Sequence, residues 1–434
     1  MKSIFLLLSI VIFIFSGCKD DANSENNTTN PPPPIQDKTS WLNKYGTDQY
    51  DSSKAIVLDS KNSIYIAGKT AGNLHNNTNR GKLDIFLSKF SNDGKHTWTL
   101  LYGTEEDEWA NALAIDNDNS IFVAGTTYGK LDDNENFGAY DIFLTKFFSN
   151  TQKAWTIQYG TDECNMAQSL VVDNIGNIYI AGKTRGDLEG EINNGQTDGF
   201  LTKVLTDGTK KWTTLLGTED WDVIYASAID NDNNIYLTGY TKGNLEDEDS
   251  LVGEEDIFLA KYSSNGEKIW IKQFGTIKTD IANAISINTN GDIYIAGETK
   301  GNLGDSNITN AGGSDLFVTK FTSGGERVWT KTFGTIKDEF ANAISVKDDI
   351  VFVAGSTQGD FDNNTSLGGK DIFLVKFSSV GDRLDTKTFG TSLHDSANAI
   401  FTDKDNMTYI TGYIDGYLDD ENKSINNIFI LKTE

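Results

Sequence analysis

A side-chain carboxylate recurs at one fixed place along the chain, five residues after a repeated glycine. The glycines are Gly46, Gly103, Gly160, Gly217, Gly275, Gly334 and Gly390. The residues five places later are Asp51, Glu108, Asn165, Asp222, Asp280, Glu339 and Asp395. Carboxylates held close together raise one another's pKa or attract a cation. If the segments form a ring, these carboxylates are predicted to surround its central opening. The alternative is that each one caps the turn of its own segment.

A second acidic cluster is a candidate metal site. It consists of Glu246, Asp247, Glu248 and Asp249. Carboxylate oxygens are the ligands that calcium prefers, so Ca²⁺ is the one cofactor that the sequence suggests. A plain solvated surface is the alternative, because runs of like charge are usually exposed to water.

Two tryptophans stand outside the position at which tryptophan otherwise repeats, namely Trp109 and Trp221. Exposed aromatic side chains stack on sugar rings or anchor a protein partner. Together with the repeated carboxylates they define a candidate binding face. Its predicted members are Asp51, Glu108, Trp109, Trp221, Asp222, Asp280, Glu339 and Asp395. Packing between neighbouring segments is the alternative for the two tryptophans.

The sequence lacks the residue groupings that most enzymes need. Its three histidines, His75, His96 and His394, neither repeat nor cluster, and Cys164 has no adjacent histidine. No Gly-x-Ser-x-Gly turn and no His/Cys metal spacing is present. A glycosidase needs two carboxylates in unlike surroundings, whereas this chain repeats similar ones. We therefore predict a non-catalytic protein, with a polysaccharide-active enzyme as the alternative.

The elements that position these residues come from a long internal repeat. Successive repeat glycines are 57, 57, 57, 58, 59 and 56 residues apart. Within one unit, residues 98–102, 110–116, 121–125 and 141–147 are rich in β-branched or aromatic residues and are bounded by turn-forming residues. Four strands per unit are typical of a propeller blade. The sequence therefore predicts an all-β, seven-bladed propeller with four-stranded blades over residues 41–434.

Ring closure is predicted to involve both ends of this region. If the tryptophan strand is outermost, residues 41–45 complete the seventh blade by pairing with residues 428–432. This pairing removes the free sheet edges that an open array would expose. In the alternative arrangement the tryptophan strand is innermost and no strand is exchanged.

Several motifs connect the repeat with a known family. They are Gly-Thr-x-x-Asp/Glu, Ala-x-Ala-Ile, Asn-Ile-Tyr-Ile-Ala-Gly-x-Thr and Asp-Ile-Phe-Leu-x-Lys. The chain resembles the SBBP repeat family of bacterial β-propellers over nearly all of residues 41–434. This resemblance implies the propeller fold but no single activity. The last unit departs from the pattern at Asp385, Ile414 and Asn427, where the other units have Trp, Thr and Asp.

The N-terminal region is predicted to direct the protein to a bacterial envelope. Residues 1–17 resemble a lipoprotein signal peptide, with Lys2 followed by an apolar run too short to span a bilayer. We expect Cys18 to carry the lipid, and residues 18–40, with their proline run, to form a tether. An outer-membrane protein exposed at the cell surface is predicted, with a periplasm-facing one as the alternative. An ordinary secretory signal is the alternative for residues 1–17.

The overall charge limits the choice of partners. The chain has 63 acidic and 37 basic residues, a formal net charge of −26. Such a surface repels phosphate groups, so nucleic acid is excluded as a predicted partner. With Cys18 lipidated, Cys164 has no cysteine to pair with. The sequence as a whole predicts a monomeric, lipid-anchored scaffold that binds a protein or glycan partner through an acidic loop face.

Overall fold

The computed structural model describes residues 40–246, 251–304, 310–362, 364–416 and 426–434. They form seven four-stranded antiparallel sheets, which confirms the predicted seven-bladed propeller. The regular helix in this part of the chain is a single 3₁₀ turn, Leu74–Asn76. No helix among the described residues is long and apolar enough to cross a membrane.

The strands of the first four blades follow the chain order. The first blade contains β2 (Asp51–Leu58), β3 (Ile64–Thr70), β4 (Asp84–Phe90) and β5 (His96–Tyr102). The second contains β6 (Glu108–Ile115), β7 (Ile121–Thr127), β8 (Asp141–Phe147) and β9 (Lys153–Tyr159). The third contains β10 (Asn165–Val172), β11 (Ile178–Thr184), β12 (Asp198–Val204) and β13 (Lys210–Leu216). The fourth contains β14 (Asp222–Ile229), β15 (Ile235–Thr241), β16 (Asp256–Tyr262) and β17 (Lys268–Phe274).

The remaining blades repeat this plan, and the last one takes a strand from the beginning of the propeller. The fifth blade contains β18 (Asp280–Ile287), β19 (Ile293–Thr299), β20 (Asp315–Phe321) and β21 (Arg327–Phe333). The sixth contains β22 (Glu339–Lys347), β23 (Ile350–Thr357), β24 (Asp371–Ser378) and β25 (Arg383–Phe389). The seventh contains β26 (Asp395–Thr402), β27 (Thr408–Asp415), β28 (Asn426–Thr433) and β1 (Trp41–Tyr45).

The strands that begin with the repeated carboxylate are innermost. Each one contacts the corresponding strand of the next blade, from β2 around the ring to β26 and back to β2. The tryptophan-bearing strands pair with one neighbour only and are outermost. The alternative strand order, with tryptophan at the centre, is therefore wrong.

Ring closure follows the prediction. Strand β1 pairs antiparallel with β28, with Trp41 opposite Lys432 and Tyr45 opposite Ile428. Trp41 and Tyr45 also pack against a buried cluster that contains Ile428 and Ile430. The ends of the propeller are thus joined by hydrogen bonds and apolar packing, and the sheet edge of β28 is covered.

Hydrophobic packing lies between blades rather than inside any single blade. One buried cluster, for example, combines Phe122 and Leu144 of the second blade with Leu170, Ile180 and Phe200 of the third. Each sheet therefore depends on both neighbours to cover its apolar faces. The inner strands are held by this packing around a common axis, and their first residues meet at one end of it.

Candidate functional site

The six repeated carboxylates lie at the start of the inner strands and are all buried. Each accepts hydrogen bonds from its own Gly-Thr turn. Asp222 Oδ2 accepts from the backbone nitrogen of Thr218 at 2.6 Å and from its hydroxyl at 2.8 Å. Glu339 accepts from Thr335 in the same way, at 2.5 and 2.8 Å. Each of these carboxylates therefore caps the turn of its own blade, which was the alternative interpretation of the sequence. Because the side chains are buried, they cannot contact a partner.

The threonine that ends the second strand completes the same network. The Thr127 hydroxyl donates to Glu108 Oε1 at 2.9 Å and accepts from the backbone nitrogen of Gly129 at 3.0 Å. Thr357 donates to Glu339 over 2.8 Å. A carboxylate removed from water must be hydrogen-bonded, and these threonines supply the donors. The carboxylate and the threonine therefore repeat because they stabilise the fold of the blades.

A second carboxylate approaches each repeat glycine from the third strand. A Cβ atom on Gly103 would lie 2.5 Å from Asp84 Oδ1 and 2.8 Å from Glu108 Oε2. Only glycine leaves room for both groups. Five such acid pairs form between neighbouring blades, and two further pairs have asparagine in one position. The acid pairs are Asp84–Glu108, Asp198–Asp222, Asp256–Asp280, Asp315–Glu339 and Asp371–Asp395; the mixed pairs are Asp141–Asn165 and Asn427–Asp51.

Burial and like charge perturb the acid pairs. Desolvation, reinforced by the nearby charge of Asp222, raises the pKa of Asp198 to about 6. Desolvation also raises the pKa of Asp395 to about 6, with Asp371 as the neighbouring charge. Asp198 and Asp395 are therefore sensitive to pH near 6, although neither side chain is exposed to a ligand.

The predicted calcium cluster is partly engaged in an ion pair. Glu246 lies 2.5 Å from the Lys272 ammonium group and accepts from the backbone nitrogen of Gln273 at 3.0 Å. Asp247, Glu248 and Asp249 lie outside the described residues. Glu189 is likewise paired with Lys210 at 2.5 Å. Within the part of the chain that the structure describes, no group of three His, Cys, Asp or Glu side chains is placed to hold a metal.

One position of each inner strand faces the channel along the axis, and these seven residues were not identified from the sequence. All seven inner strands have a β-bulge next to an alanine, always at the fourth residue of the strand. The bulge residues are Lys54, Asn111, Gln168, Tyr225, Asn283, Asn342 and Asn398. Four of them are asparagine. The recurrence of asparagine eight residues after the repeat glycine could have identified this position from the sequence.

The asparagines fix the position of the bulge. The side-chain amide of Asn111 donates to the carbonyl of Ala167 in the next blade at 2.8 Å. Asn342 donates to Ala397 at 2.8 Å, and Asn398 donates to Ser53 at 2.9 Å. These bonds run from one inner strand to the next, so the bulge residues face the axis. They also occupy inner-strand carbonyls that would otherwise be open to the channel.

At the end of the channel where the Gly-Thr turns lie, the side chains differ from blade to blade. The residue after the second strand donates its N–H to the carbonyl of the residue before the inner strand. Examples are Arg185 to Cys164 at 3.1 Å and Lys242 to Trp221 at 2.8 Å. Non-repeating side chains are thereby held side by side around the opening. We call this surface the axial mouth and define it by Tyr50, Lys54, Lys69, Trp109, Tyr128, Tyr140, Lys183, Arg185 and Trp221.

Trp109 is the centre of an aromatic group in the axial mouth. Its ring centroid lies 6.3 Å from that of Tyr128 and 5.7 Å from that of Tyr140. The Lys69 ammonium group of the first blade lies 5.3 Å from the rings of both Trp109 and Tyr50. Trp109 is half-buried, so it packs between blades and also presents surface to solvent.

Trp221 has similar surroundings on the other side of the third blade. Its indole nitrogen donates to Gln196 Oε1 at 2.7 Å. The guanidinium group of Arg185 lies 5.1 Å from the ring centroid. In both places the preceding blade supplies a cation to the tryptophan of the next blade, which is a cation–π contact. The structure therefore brings the two predicted tryptophans to one end of the propeller, each with a basic group beside its ring.

Comparison with known proteins agrees with this architecture. The SBBP model, described as a beta-propeller repeat, matches residues 211–246 and 269–305, so the chain contains repeats of this type. The regulatory protein FlaEY of Caulobacter vibrioides is 22% identical over 356 residues, covering 72% of this chain and 36% of that protein. The chain spans about a third of the length of the curated relatives it matches.

A solved structure shows the same fold at low identity. The WD40 propeller domain of Doa1 superposes with a TM-score of 0.51 at 11% identity, covering 91% of this chain and 96% of that one. The polysaccharide lyase Uly1 has a TM-score of 0.49 at 12% identity, covering 90% of this chain and 91% of that one. Proteins that share a fold carry out many unrelated functions, so function has to be argued from the site.

Proposed function

We propose that this protein is a non-catalytic binding scaffold of the bacterial envelope and that it recognises a glycan through the axial mouth. The observation that carries the proposal is the contrast between two sets of residues. The repeated polar residues are buried and hydrogen-bonded within the scaffold, whereas the non-repeating aromatic and basic residues gather at one opening. Half-exposed tryptophan and tyrosine rings are suited to stacking on sugar rings.

The proposed surface differs from an acidic loop face. The repeated carboxylates are buried, and described loop acids such as Glu189 and Glu246 are paired with lysines. An ion pair at the surface gains little energy, but it leaves less charge available for a partner. Recognition is therefore assigned to aromatic and basic groups near the axis.

We propose a non-catalytic role because of the surroundings of the carboxylates. A glycosidase acid and its partner must reach the substrate and must differ in environment. The acid pairs in this propeller are buried behind the Gly-Thr turns, and they repeat in five places. They are therefore assigned to the scaffold.

Replacement of either mouth tryptophan should weaken binding. A glycan array probed with the purified protein would identify a ligand, and titration calorimetry would then compare Trp109→Ala and Trp221→Ala. Loss of an aromatic contact residue costs on the order of 2 kcal/mol, or about thirtyfold in affinity. Phe148→Ala is the control, because this 44% exposed residue follows β8 at the opposite end of its blade. Unchanged affinity in both tryptophan variants would rule out the axial mouth.

We also propose that Cys18 carries the lipid that anchors the protein, although this residue lies outside the described part of the chain. Full-length protein made in a bacterial host with an alkyne-labelled fatty acid should incorporate the label and remain with membranes. Cys18→Ala should do neither, because the thiol that receives the lipid is gone. Cys164→Ala should label normally, since Cys164 lies within the propeller. Equal labelling of the Cys18 variant would contradict the proposal.

A further inference from the structure

Lys54 is the bulge residue of the first blade and is exposed to the channel. The inner strands surround the Lys54 side chain and reduce its hydration. This desolvation, together with the charge of Lys69, lowers the pKa of Lys54 to about 8. Burial also lowers the pKa of Lys69 and of Lys183. Holding the Lys54 and Lys69 ammonium groups close to one another has an electrostatic cost, and Lys183 has the same kind of neighbour in Arg185.

Among the described residues, no carboxylate forms an ion pair with these lysines, although the charge of Asp107 acts on Lys69. Twelve ion pairs are present there, and none involves Lys54, Lys69 or Lys183. An anion bound between Lys54 and Lys69 would supply the partner that these two ammonium groups lack.

Acidic side chains are also present at this opening, since the Gly-Thr turns of the first three blades carry Asp48, Glu106 and Glu163 among others. Glu298 belongs to the fifth blade, where burial raises its pKa to about 7, and Lys300, Lys370 and Asp338 are nearby charges. Asp107 lies near Lys69 but forms no ion pair with it among the described contacts. Lys69 is therefore distinguished by its position beside Trp109 and Tyr50 rather than by an overall positive charge of the opening.

The aromatic neighbours of Lys69 indicate what kind of anion fits. Its ammonium group is 5.3 Å from the rings of both Trp109 and Tyr50, and it is not locked by an ion pair. A pyranose ring that carries a carboxylate could stack on an aromatic ring while its charged group meets the ammonium. Lysine is a point charge that suits a single carboxylate oxygen, unlike the two-pronged arginine group.

A peptide partner fits this opening less well. Extended peptides gain affinity from main-chain hydrogen bonds along a free sheet edge. Each inner edge here is interrupted by a bulge, and the carbonyls of Ala167, Ala397 and Ser53 already accept from asparagine side chains. Side-chain contacts rather than strand pairing are therefore available to a ligand.

We infer that the axial mouth binds an acidic oligosaccharide, with Lys54 and Lys69 contacting the sugar carboxylates and Trp109 contacting a sugar ring. This inference rests on the proposed function and adds the substrate class to it. Because a uronate sugar combines an apolar C–H ring face with one carboxylate, it matches both kinds of group in the mouth.

The test compares three probes by titration calorimetry with the purified protein. They are oligogalacturonate, its neutral methyl ester and polyglutamate of similar charge. Oligogalacturonate should bind, and the ester and polyglutamate should each bind at least about tenfold more weakly. Lys54→Gln/Lys69→Gln should lose at least about tenfold in affinity for the acid, whereas Lys211→Gln, on the outer strand β13, should bind normally. Thermal melts of each variant establish that it is folded.

The outcomes separate this inference from the proposed function. If the ester binds as well as the acid and only Trp109→Ala weakens it, the mouth is a glycan site but the acidic class is wrong. Equal or tighter binding of polyglutamate would overturn the inference in favour of an acidic protein partner. Failure of all three probes to bind would also overturn it, while the tryptophan variants on the array-identified glycan would still decide the proposed function.

Discussion

Removal of β1, residues 41–45, is expected to lower the free energy of unfolding by about 5 kcal/mol. The strand supplies Trp41 and Tyr45 to one buried cluster and Leu42 to another, and its backbone pairs with β28 over five residues. Deletion removes these contacts and exposes a hydrophobic sheet edge. Urea unfolding followed by tryptophan fluorescence would measure the loss.

The control for this experiment removes residues 1–39 and leaves β1 intact. That protein should unfold at the same urea concentration as the full chain. The β1 deletion should also associate in size-exclusion chromatography, because an unpaired strand edge recruits other chains. Identical unfolding curves for the two truncations would show that pairing of β1 with β28 contributes nothing to closure.

Replacement of Asp198 by asparagine is expected to change the pH dependence of stability. The pKa of Asp198 is raised to about 6 in the folded protein, from an ordinary value of 3.8. A raised pKa stabilises the fold below the unfolded value, and this contribution is lost as the pH rises through 6. The difference corresponds to about 3 kcal/mol between pH 4 and pH 8. Asp198→Asn removes this titration and should gain up to that amount relative to wild type at pH 8.

The chain itself shows that asparagine fits this position. Asn427 occupies the equivalent place in the last blade, beside Gly46 and Asp51, and donates to the carbonyl of Gly416 at 2.9 Å. Urea unfolding at pH 4, 6 and 8 would measure the effect, with the exposed Asp118→Asn as the control. If Asp198→Asn changed the free energy of unfolding by the same amount at all three pH values, Asp198 would not titrate in this range.

The propeller could be predicted from the sequence because the information is local and is repeated. Each blade has the same four strand patterns, and the pairing of residues 41–45 with 428–432 follows from the strand order. Even the departures in the last unit are consistent with the fold. Asp385 replaces a tryptophan on an outermost strand and is exposed, so its carboxylate stays in contact with water.

The repeated carboxylates were harder to interpret because spacing gives their place on the ring but not the direction of the side chain. Glu108 turns back toward Thr104, whose backbone nitrogen lies 2.6 Å away, instead of pointing into the channel. The donors are only four residues distant, so the local turn satisfies the carboxylate before any ligand can. A buried carboxylate with nearby donors is the lower-energy arrangement.

Only some residues of the axial mouth could be predicted from the sequence. Trp109 and Trp221 are recognisable because they break the repeat. Lys69 and Arg185 are not, because each belongs to the blade before the tryptophan that it contacts. Lys54 reaches the channel through a bulge, which the alternation of residues in the strand does not reveal. These contacts depend on how neighbouring blades pack and on local irregularity of the inner strand.

Hydroxyl-radical footprinting with and without the glycan identified on the array tests the central claim, that the axial mouth is the recognition surface. Tyr50, Trp109 and Trp221 should be protected in the complex, with no change at Ile269 and Val328. The last two residues are 50% and 51% exposed on outermost strands and serve as internal controls. Protection at the outer strands with unchanged reactivity of Trp109 and Trp221 would contradict the account.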